Sequence, residues 1–520
     1  MSDILIGMDA GTSMIKCAAF SASGELLASR SRTNRYDTSP DGAAIQSLPD
    51  TREALIETLS ELAGDLGADR TRVRAAAITA QGDGTWLVDE NDEALHEGWL
   101  WLDSRAAGIA AEVERSAGFS AVFATTGTSI NASQMRSQML WMERHQPELL
   151  DAAATAYHCK DYLYACLTGA RATDPSEGLL SFGDFRRREY SPDVLRLLGL
   201  DGRSHLLPDI VDGYREAHPL VDPVARATGL PAGLPITLGY VDVICSALGG
   251  GLYDAGAASA MTLTGTTGIH MRYTGSAGEV VLPAEPSGYT IAFPGGGFVQ
   301  LQTNMAATLN IDWILDLARE VLATHGVDTD AVDLFDGLDE RILAARPAAA
   351  LYHPYISPAG ERGPFIDSRA RASFAGLDQG VGYHDLVRAV YEGLALAARD
   401  CYASMGRIPD EIRLGGGAAQ SLALRRIMAS VLDRPVRVAE RPEAGAAGAA
   451  MIAAVRHGYF DDVASCTAQW VTPSIGEAVR PDPELAVLYD GLFEVYVAAR
   501  DASPTVWRRL AQLRAGGGGR

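Results

Sequence analysis

Ile4-Leu5-Ile6-Gly7-Met8-Asp9-Ala10-Gly11-Thr12-Ser13 opens the chain as an apolar strand running into a hydroxyl-rich turn, and Ile15 to Phe20 returns as a second strand. Glycine permits a tight turn, and the amides and hydroxyls that follow it can converge on an anion. The pattern recurs: Ala260 to Leu263 reads as a strand, Thr264-Gly265-Thr266-Thr267-Gly268 as a turn, and Ile269 to Tyr273 as its return. An internal duplication gives two related lobes, each offering a Gly-Thr hairpin, with a mechanical purpose in clamping a polyphosphate from both sides. The boundary then falls near Gly239 to Gly251.

Outward from the first hairpin, Glu25 to Ser31 and Ala75 to Ala80 read as strands, separated by a helix over about Asp50 to Gly64. After the second hairpin, Glu411 to Leu414 is a strand that ends in the Gly415-Gly416-Gly417 turn. Ser421 is placed to cap a helix reaching Leu432. Arg434 to Val438 is a turn and strand, Glu443 to His457 a Gly/Ala helix, and Glu484 to Leu513 a final helix broken at Pro504. Gly516 to Gly519 reads as a disordered tail.

A chain of 520 residues exceeds one ordinary core, so two domains of roughly 200 to 250 residues around a cleft are predicted. A net charge of −22 opposes nucleic acid and anionic membrane. Six cysteines without CxxC spacing read as reduced and mostly buried, which implies a cytoplasmic setting. The start of the chain lacks the basic and apolar pattern of a signal peptide. Ala444 to Val455 falls short of the ~20 residues needed to span a bilayer and reads as a closely packed buried helix. Lysine survives only at Lys16 and Lys160 in a chain that otherwise uses arginine, so each is a candidate for a compact ammonium that a guanidinium cannot imitate.

Asp9 before Gly11-Thr12, Thr264-Gly265-Thr266 and the glycine triplet, in this order, resemble the superfamily of sugar kinases, heat-shock chaperones and actin. Trp101-Leu102-Asp103-Ser104-Arg105, Lys160-Asp161-Tyr162-Leu163, Gly239-Tyr240-Val241-Asp242 and Gly360-Glu361-Arg362-Gly363-Pro364 narrow the resemblance to the FGGY carbohydrate kinases, over about residues 4 to 500. The resemblance implies an α/β, two-lobed actin-like ATPase (ribonuclease H-like) fold with duplicated domains around a central cleft. Residues 1–245 would form the polyol- and phosphate-binding lobe, 246–485 the nucleotide-binding lobe, and 486–520 a C-terminal helix and tail. Substrate-driven closure of the lobes is expected of such a kinase.

The resemblance also implies the cofactors ATP and Mg²⁺ and a division of roles. Asp242 would be the catalytic base, against its local reading as the N-cap of a helix from Val243 to Leu248. Asp9 would hold Mg²⁺, against an ordinary turn acid. Gly11, Thr12, Ser13, Thr264, Gly265, Thr266 and Thr267 would receive phosphates, with charge from Lys16, whose alternative is a surface lysine. Gly415, Gly416, Gly417 and Ser421 would meet adenosine, while Gly445 to Gly448 would act through packing.

For the substrate, Gln81-Gly82-Asp83-Gly84 stands where xylulokinases carry Gln-Met-His-Gly and glycerol kinases an Arg-Glu pair. Within the family this segment, with Trp86 soon after, is most similar to the erythritol kinases. Asp83 offers a carboxylate to two vicinal hydroxyls, against a solvated turn aspartate. Gln81, Trp86, Trp101, Asp103 and Asp242 would complete the pocket, with Trp86 also read as partly structural. The function implied is phosphorylation of a terminal hydroxyl of a small polyol, erythritol first, as the opening step of its catabolism. A ketopentose kinase and a regulatory sugar-binding pseudokinase stay open, as does a homodimer.

Overall fold

The computed structural model describes residues 3–253, 259–439 and 441–517. Strand β1 (Ile4–Ala10) pairs antiparallel with β2 (Met14–Ser21), which sets Asp9 opposite Lys16, and β3 (Leu26–Thr33) extends the sheet beyond β2. Helix α1 (Leu48–Leu66) starts at the Ser47 cap, whose hydroxyl accepts the Asp50 amide, and brings β4 (Val73–Ala80) back parallel to β1. The Ala75-Ala76-Ala77-Ile78 run is fully buried, as expected of a central parallel strand covered on both faces. An insertion follows, with helices α2 (Met135–His145), α3 (Cys159–Thr168) and α4 (Pro175–Phe182). Then β5 (Pro235–Leu238) joins parallel to β4, and α5 (Asp242–Gly249) leaves its end.

The second lobe repeats this plan. Strands β6 (Ser259–Thr264) and β7 (Gly268–Thr274) make the second hairpin, and β8 (Tyr289–Ala292) and β9 (Phe298–Asn304) continue the sheet beyond β7. After α6 (Thr308–Thr324) and α7 (Tyr383–Ser404), β10 (Glu411–Gly415) lies parallel to β6. Helix α8 (Leu422–Leu432) then returns the chain to β11 (Val436–Val438), parallel to β10. The order β3-β2-β1-β4-β5 in one sheet therefore matches β9-β7-β6-β10-β11 in the other, with the same strand directions. This is the duplication announced by the two hairpins.

The lobes are joined by helices with almost no side chains between them. Helix α9 (Ala444–Arg456) crosses α5 and β1 so closely that a Cβ on Gly448 would stand 1.9 Å from the Cys245 carbonyl oxygen. One on Gly249 would stand 2.1 Å from that of Ala444, and one on Gly7 would stand 1.8 Å from that of Ala446. The Gly/Ala helix is thus a packing device, as its composition implied.

Helix α10 (Pro483–Ala502) and α11 (Pro504–Gly517) lie against the second lobe. The Tyr489 hydroxyl donates to Glu392 (2.7 Å), Tyr496 bonds Tyr355, and the Trp507 ring stacks on Phe365. Two expectations shift. Position 485/486 falls inside α10, and α11 extends through Gly516 and Gly517 of the Gly-rich tail, the remainder lying outside the described residues. Among the described residues, no helix is long and apolar enough to cross a membrane.

Candidate active site

Three neighbouring parallel strands, β5, β4 and β1, end on the same side of the first sheet. Asp9 stands near the end of β1, Gln81-Gly82-Asp83 leaves β4, and Val241-Asp242 leaves β5. In the second sheet, β6 and β10 end side by side, with Leu263 opposite Gly415. Ligands of open α/β sheets collect at such carboxyl edges, where loops diverge.

Asp242 is partly buried and starts α5, one residue earlier than its reading as an N-cap; Oδ1 accepts the Val243 amide (2.6 Å). Burial, then repulsion from Asp9, push its carboxyl up to about 7, against the pull of that amide. Asp9 is pushed up to about 6, chiefly by burial, with Glu443 adding to the rise and Lys16 opposing it. A Cβ on Gly445 would stand 2.2 Å from Asp9 Oδ2 and 3.2 Å from Ser246 Oγ, so Asp9, α5 and the start of α9 meet there. Lys16 stays beside the hairpin, its Nζ 3.1 Å from Glu443 Oε2.

The two hairpins offer different groups. Thr12 Oγ1 donates to Gln81 Oε1 and accepts from Trp101 Nε1, both at 2.8 Å, so its hydroxyl is committed within the protein. Ser13 is exposed, and Gly11 is held by Asn34, whose Nδ2 donates to its carbonyl (2.9 Å). Thr264 is buried, while Thr266 and Thr267 are exposed next to Gly265.

A cavity of about 390 Å³ opens beside the second hairpin, lined by Thr308, Phe335, Tyr391, Gly417 and Ser421 among others. Of the predicted glycine triplet only Gly417 borders it. Gly415 packs on Leu263, and Gly416, at φ +87°, lies against the Thr264 carbonyl, 2.5 Å from where its Cβ would stand. Ser421 caps α8 through the Leu424 amide (3.1 Å) and donates to Asp339 (2.6 Å), so it lines the cavity with a hydroxyl already in use.

The predicted substrate residues divide sharply. Asp83 takes a left-handed conformation (φ 54°) with a buried Oδ1 that has no hydrogen-bond partner among the described residues. Burial pushes its carboxyl up, opposed by His158, Arg136 and Arg362. Trp101 is 47% exposed at the rim. Three others belong elsewhere. Gln81 is buried and spends its amide on Thr12 and Gln46. Trp86 is 1% exposed, with Tyr162 5.8 Å away and its ring filling the space a Cβ on Gly98 would need. Asp103 is 1% exposed and accepts from the Ala44 amide and from Arg105, which fixes the turn below Trp101.

Residues 4–249 match the FGGY family of carbohydrate kinases, N-terminal domain, and residues 260–457 match its C-terminal domain. The chain belongs to this family. It is 47% identical over 510 residues to an erythritol kinase of Brucella abortus, covering 98% of both chains, and 25% identical to a xylulose kinase of Bacillus subtilis over 95% of both. Among solved structures, a xylulose kinase from Rhodospirillum rubrum superposes with a TM-score of 0.86 at 25% identity, over 97% of this chain and 100% of that one.

In this FGGY kinase the geometry adds residues that the sequence reading did not single out for the pocket. Arg136 on α2, and Tyr289 and Arg362 from the second lobe, face Asp83 electrostatically. Gly82 touches Val241 and Glu177, which sets the Asp83 turn against the start of α5. Behind it lies a buried set of charges: Lys160 Nζ contacts Asp161 (2.5 Å) and Asp174 (2.9 Å), and His158 lies between Asp161 and Glu177. Asp174 accepts from Ser176, whose oxygen accepts the Val241 amide (2.9 Å). Lys160, conspicuous as one of two lysines, is thus a buried anchor three contacts behind the residue before Asp242.

Proposed function

We propose that this kinase transfers a phosphoryl group from ATP to a terminal hydroxyl of erythritol, with Asp242 as the base that takes the hydroxyl proton. The observation that carries the polyol reading is Asp83. A carboxylate with an unpartnered Oδ1, beside the turn that abuts Asp242, suits hydroxyl donors of an uncharged substrate. The erythritol kinase relative at 47% identity, against 25% for a xylulose kinase, supports a polyol over a ketopentose. The cavity beside Gly417 and the exposed Thr266 and Thr267 provide for the nucleotide.

The donor set fits Mg²⁺. Asp9 accepts no hydrogen bond from the described residues, and no group of three or more His, Cys, Asp or Glu among them is placed to hold a metal. A hard cation that keeps several waters and shares phosphate oxygens needs only one or two carboxylates. Asp9 would hold it, and Mg²⁺ bound there neutralises charge on the phosphates. Asp242 orients and deprotonates the acceptor, while the hairpins hold the phosphates in line. A reducing, cytoplasmic setting belongs to the same reading, supported by six unpaired cysteines, five of them buried.

A coupled ADP assay over erythritol, threitol, xylitol, ribitol, glycerol, xylulose and ribulose tests it through kcat/KM. Erythritol should lead. Preference for a ketose overturns the substrate, and polyol binding without ADP formation turns the reading to a pseudokinase.

A further inference from the structure

Arg136 lies in the first turn of α2, fully buried. Its Nε donates to Gln134 Oε1 (2.9 Å), and Nη2 donates to the carbonyls of Thr128 (3.0 Å) and Ser129 (2.5 Å). Nη1 is equally buried and has no partner among the described residues. The Gly84 amide donates to the Ser133 carbonyl (3.0 Å), which sets the Asp83 turn against the start of α2, and Asp83 Oδ1 is buried and likewise unpartnered among the described residues. Each charge acts on the other, yet the two make no ion pair within bonding distance. Leaving a buried donor and a buried acceptor both unmet is unfavourable, the more so when they are charged. A third group placed between these opposite charges would meet both.

A hydroxyl is the group that serves both, because it accepts from Nη1 and donates to Oδ1. The Tyr289 hydroxyl faces the same space from the second lobe: it accepts from Asn131 Nδ2 (2.6 Å), which leaves its own proton to give. Three of the guanidinium's contacts are anchored to backbone and Gln134, so Nη1 is aimed in advance and little order is lost when a ligand arrives. Asp242 stands alongside, through the contact of Gly82 with Val241. The hydroxyls met by Arg136 are therefore those left behind when the terminal one reacts.

We infer that Arg136 is a specificity-determining residue of this kinase, which with Asp83 grips an internal hydroxyl of the polyol chain. The inference rests on the proposed polyol kinase activity and deepens it. It predicts that the enzyme rejects substrates lacking an internal hydroxyl, and that Arg136 and Asp83 act on the substrate as a unit.

The test compares kcat/KM for erythritol and 1,2,4-butanetriol, which lacks one internal hydroxyl, in the natural enzyme, Arg136→Lys, Asp83→Asn and the double variant. The natural enzyme should favour erythritol by about 10²-fold or more, the value of a charged hydrogen bond and the group it leaves unmet. Each single variant should lose most of that preference, and the double variant should be scarcely worse than either. Equal loss on both substrates, or losses that simply multiply, overturns the inference and leaves Arg136 as a clasp for the Thr128 and Ser129 carbonyls. If Arg136→Lys fails to fold, the natural enzyme decides: indifference between the two substrates overturns the grip. ADP formation with polyols but no such preference refutes only this inference, whereas no polyol-dependent ADP at all refutes the proposed activity with it.

Discussion

The two Gly-Thr hairpins occupy equivalent places in equivalent sheets, yet their hydrogen bonds lead to different parts of the molecule. In the first, the Thr12 hydroxyl lies between Gln81 and Trp101 and its carbonyl accepts from Gln46, so the turn is tied to the loop that carries Asp83. In the second, the Thr266 and Thr267 hydroxyls are exposed, and the backbone is tied to the start of α6. The Gly265 carbonyl accepts from the Thr308 amide (2.9 Å) and that of Thr266 from the Ala307 amide (2.8 Å). Thr308 in turn lines the cavity beside Gly417. The two turns share a place in the fold but not their side-chain contacts: the first leads to the loop that carries Asp83, the second to the cavity beside Gly417.

Asp242 belongs to neither hairpin, so if it is the base, its removal should stop the chemistry and leave ligand binding at both turns in place. Asp242→Asn should lower kcat by about 10³-fold or more, with both KM values held within about threefold. Single-turnover phosphoryl transfer and equilibrium binding of polyol separate the two effects, and near-normal turnover defeats the role. The same carboxyl sets a pH limb. Burial and Asp9 raise it to about 7, and a base works only when deprotonated, so kcat/KM should fall about tenfold per unit below pH 7 and level off above it. A limb lying instead near pH 4, the ordinary carboxylate range, would mean that burial and Asp9 do not raise the base in the working enzyme.

The hairpin comparison itself is sharpened by matched substitutions. Thr266→Val should weaken ATP alone, by about tenfold in KM, since its residue is exposed and its hydroxyl makes no hydrogen bond among the described residues. Thr12→Val should raise KM for polyol and ATP together, because it severs the bridge between the phosphate turn and the β4 loop. Equal profiles for the two variants would abolish the distinction between the hairpins.

Most of this frame was readable from local pattern. The apolar runs ending at Asp9 and Ala80, the Ser421 cap and the small-residue helix from Ala444 each depend on neighbours in the sequence, and each lies where it was predicted. The site's side chains were less legible because their fate depends on distant partners. Asp103 looked like a substrate carboxylate, but the Ala44 amide and Arg105 claim its oxygens. Gln81 and Thr12 are both present as predicted and satisfy each other. Arg136 stood unnoticed in Gln134-Met135-Arg136-Ser137-Gln138 because a charged residue in a helix is usually a solvated face. The available signal was that Met135, Met139 and Met142 mark the apolar stripe of that helix, and Arg136 adjoins it. Tyr289 had no signal at all, since it reaches the pocket only when the second lobe folds against the first.

The smallest effect tests the weakest wire in the first hairpin. Trp101 is 47% exposed, and its indole N–H is the single hydrogen bond it contributes to Thr12 (2.8 Å). Trp101→Phe keeps an aromatic face at the rim and removes only that donor. A hydrogen bond open to solvent is worth about 0.5–1.5 kcal/mol, so KM for polyol should rise by about two- to tenfold with kcat nearly unchanged. Thr12 then loses one of its two side-chain restraints while keeping Gln81, and ATP binding should move by less than polyol binding. If ATP binding moves more, Trp101 holds Thr12 for the phosphates rather than for the pocket.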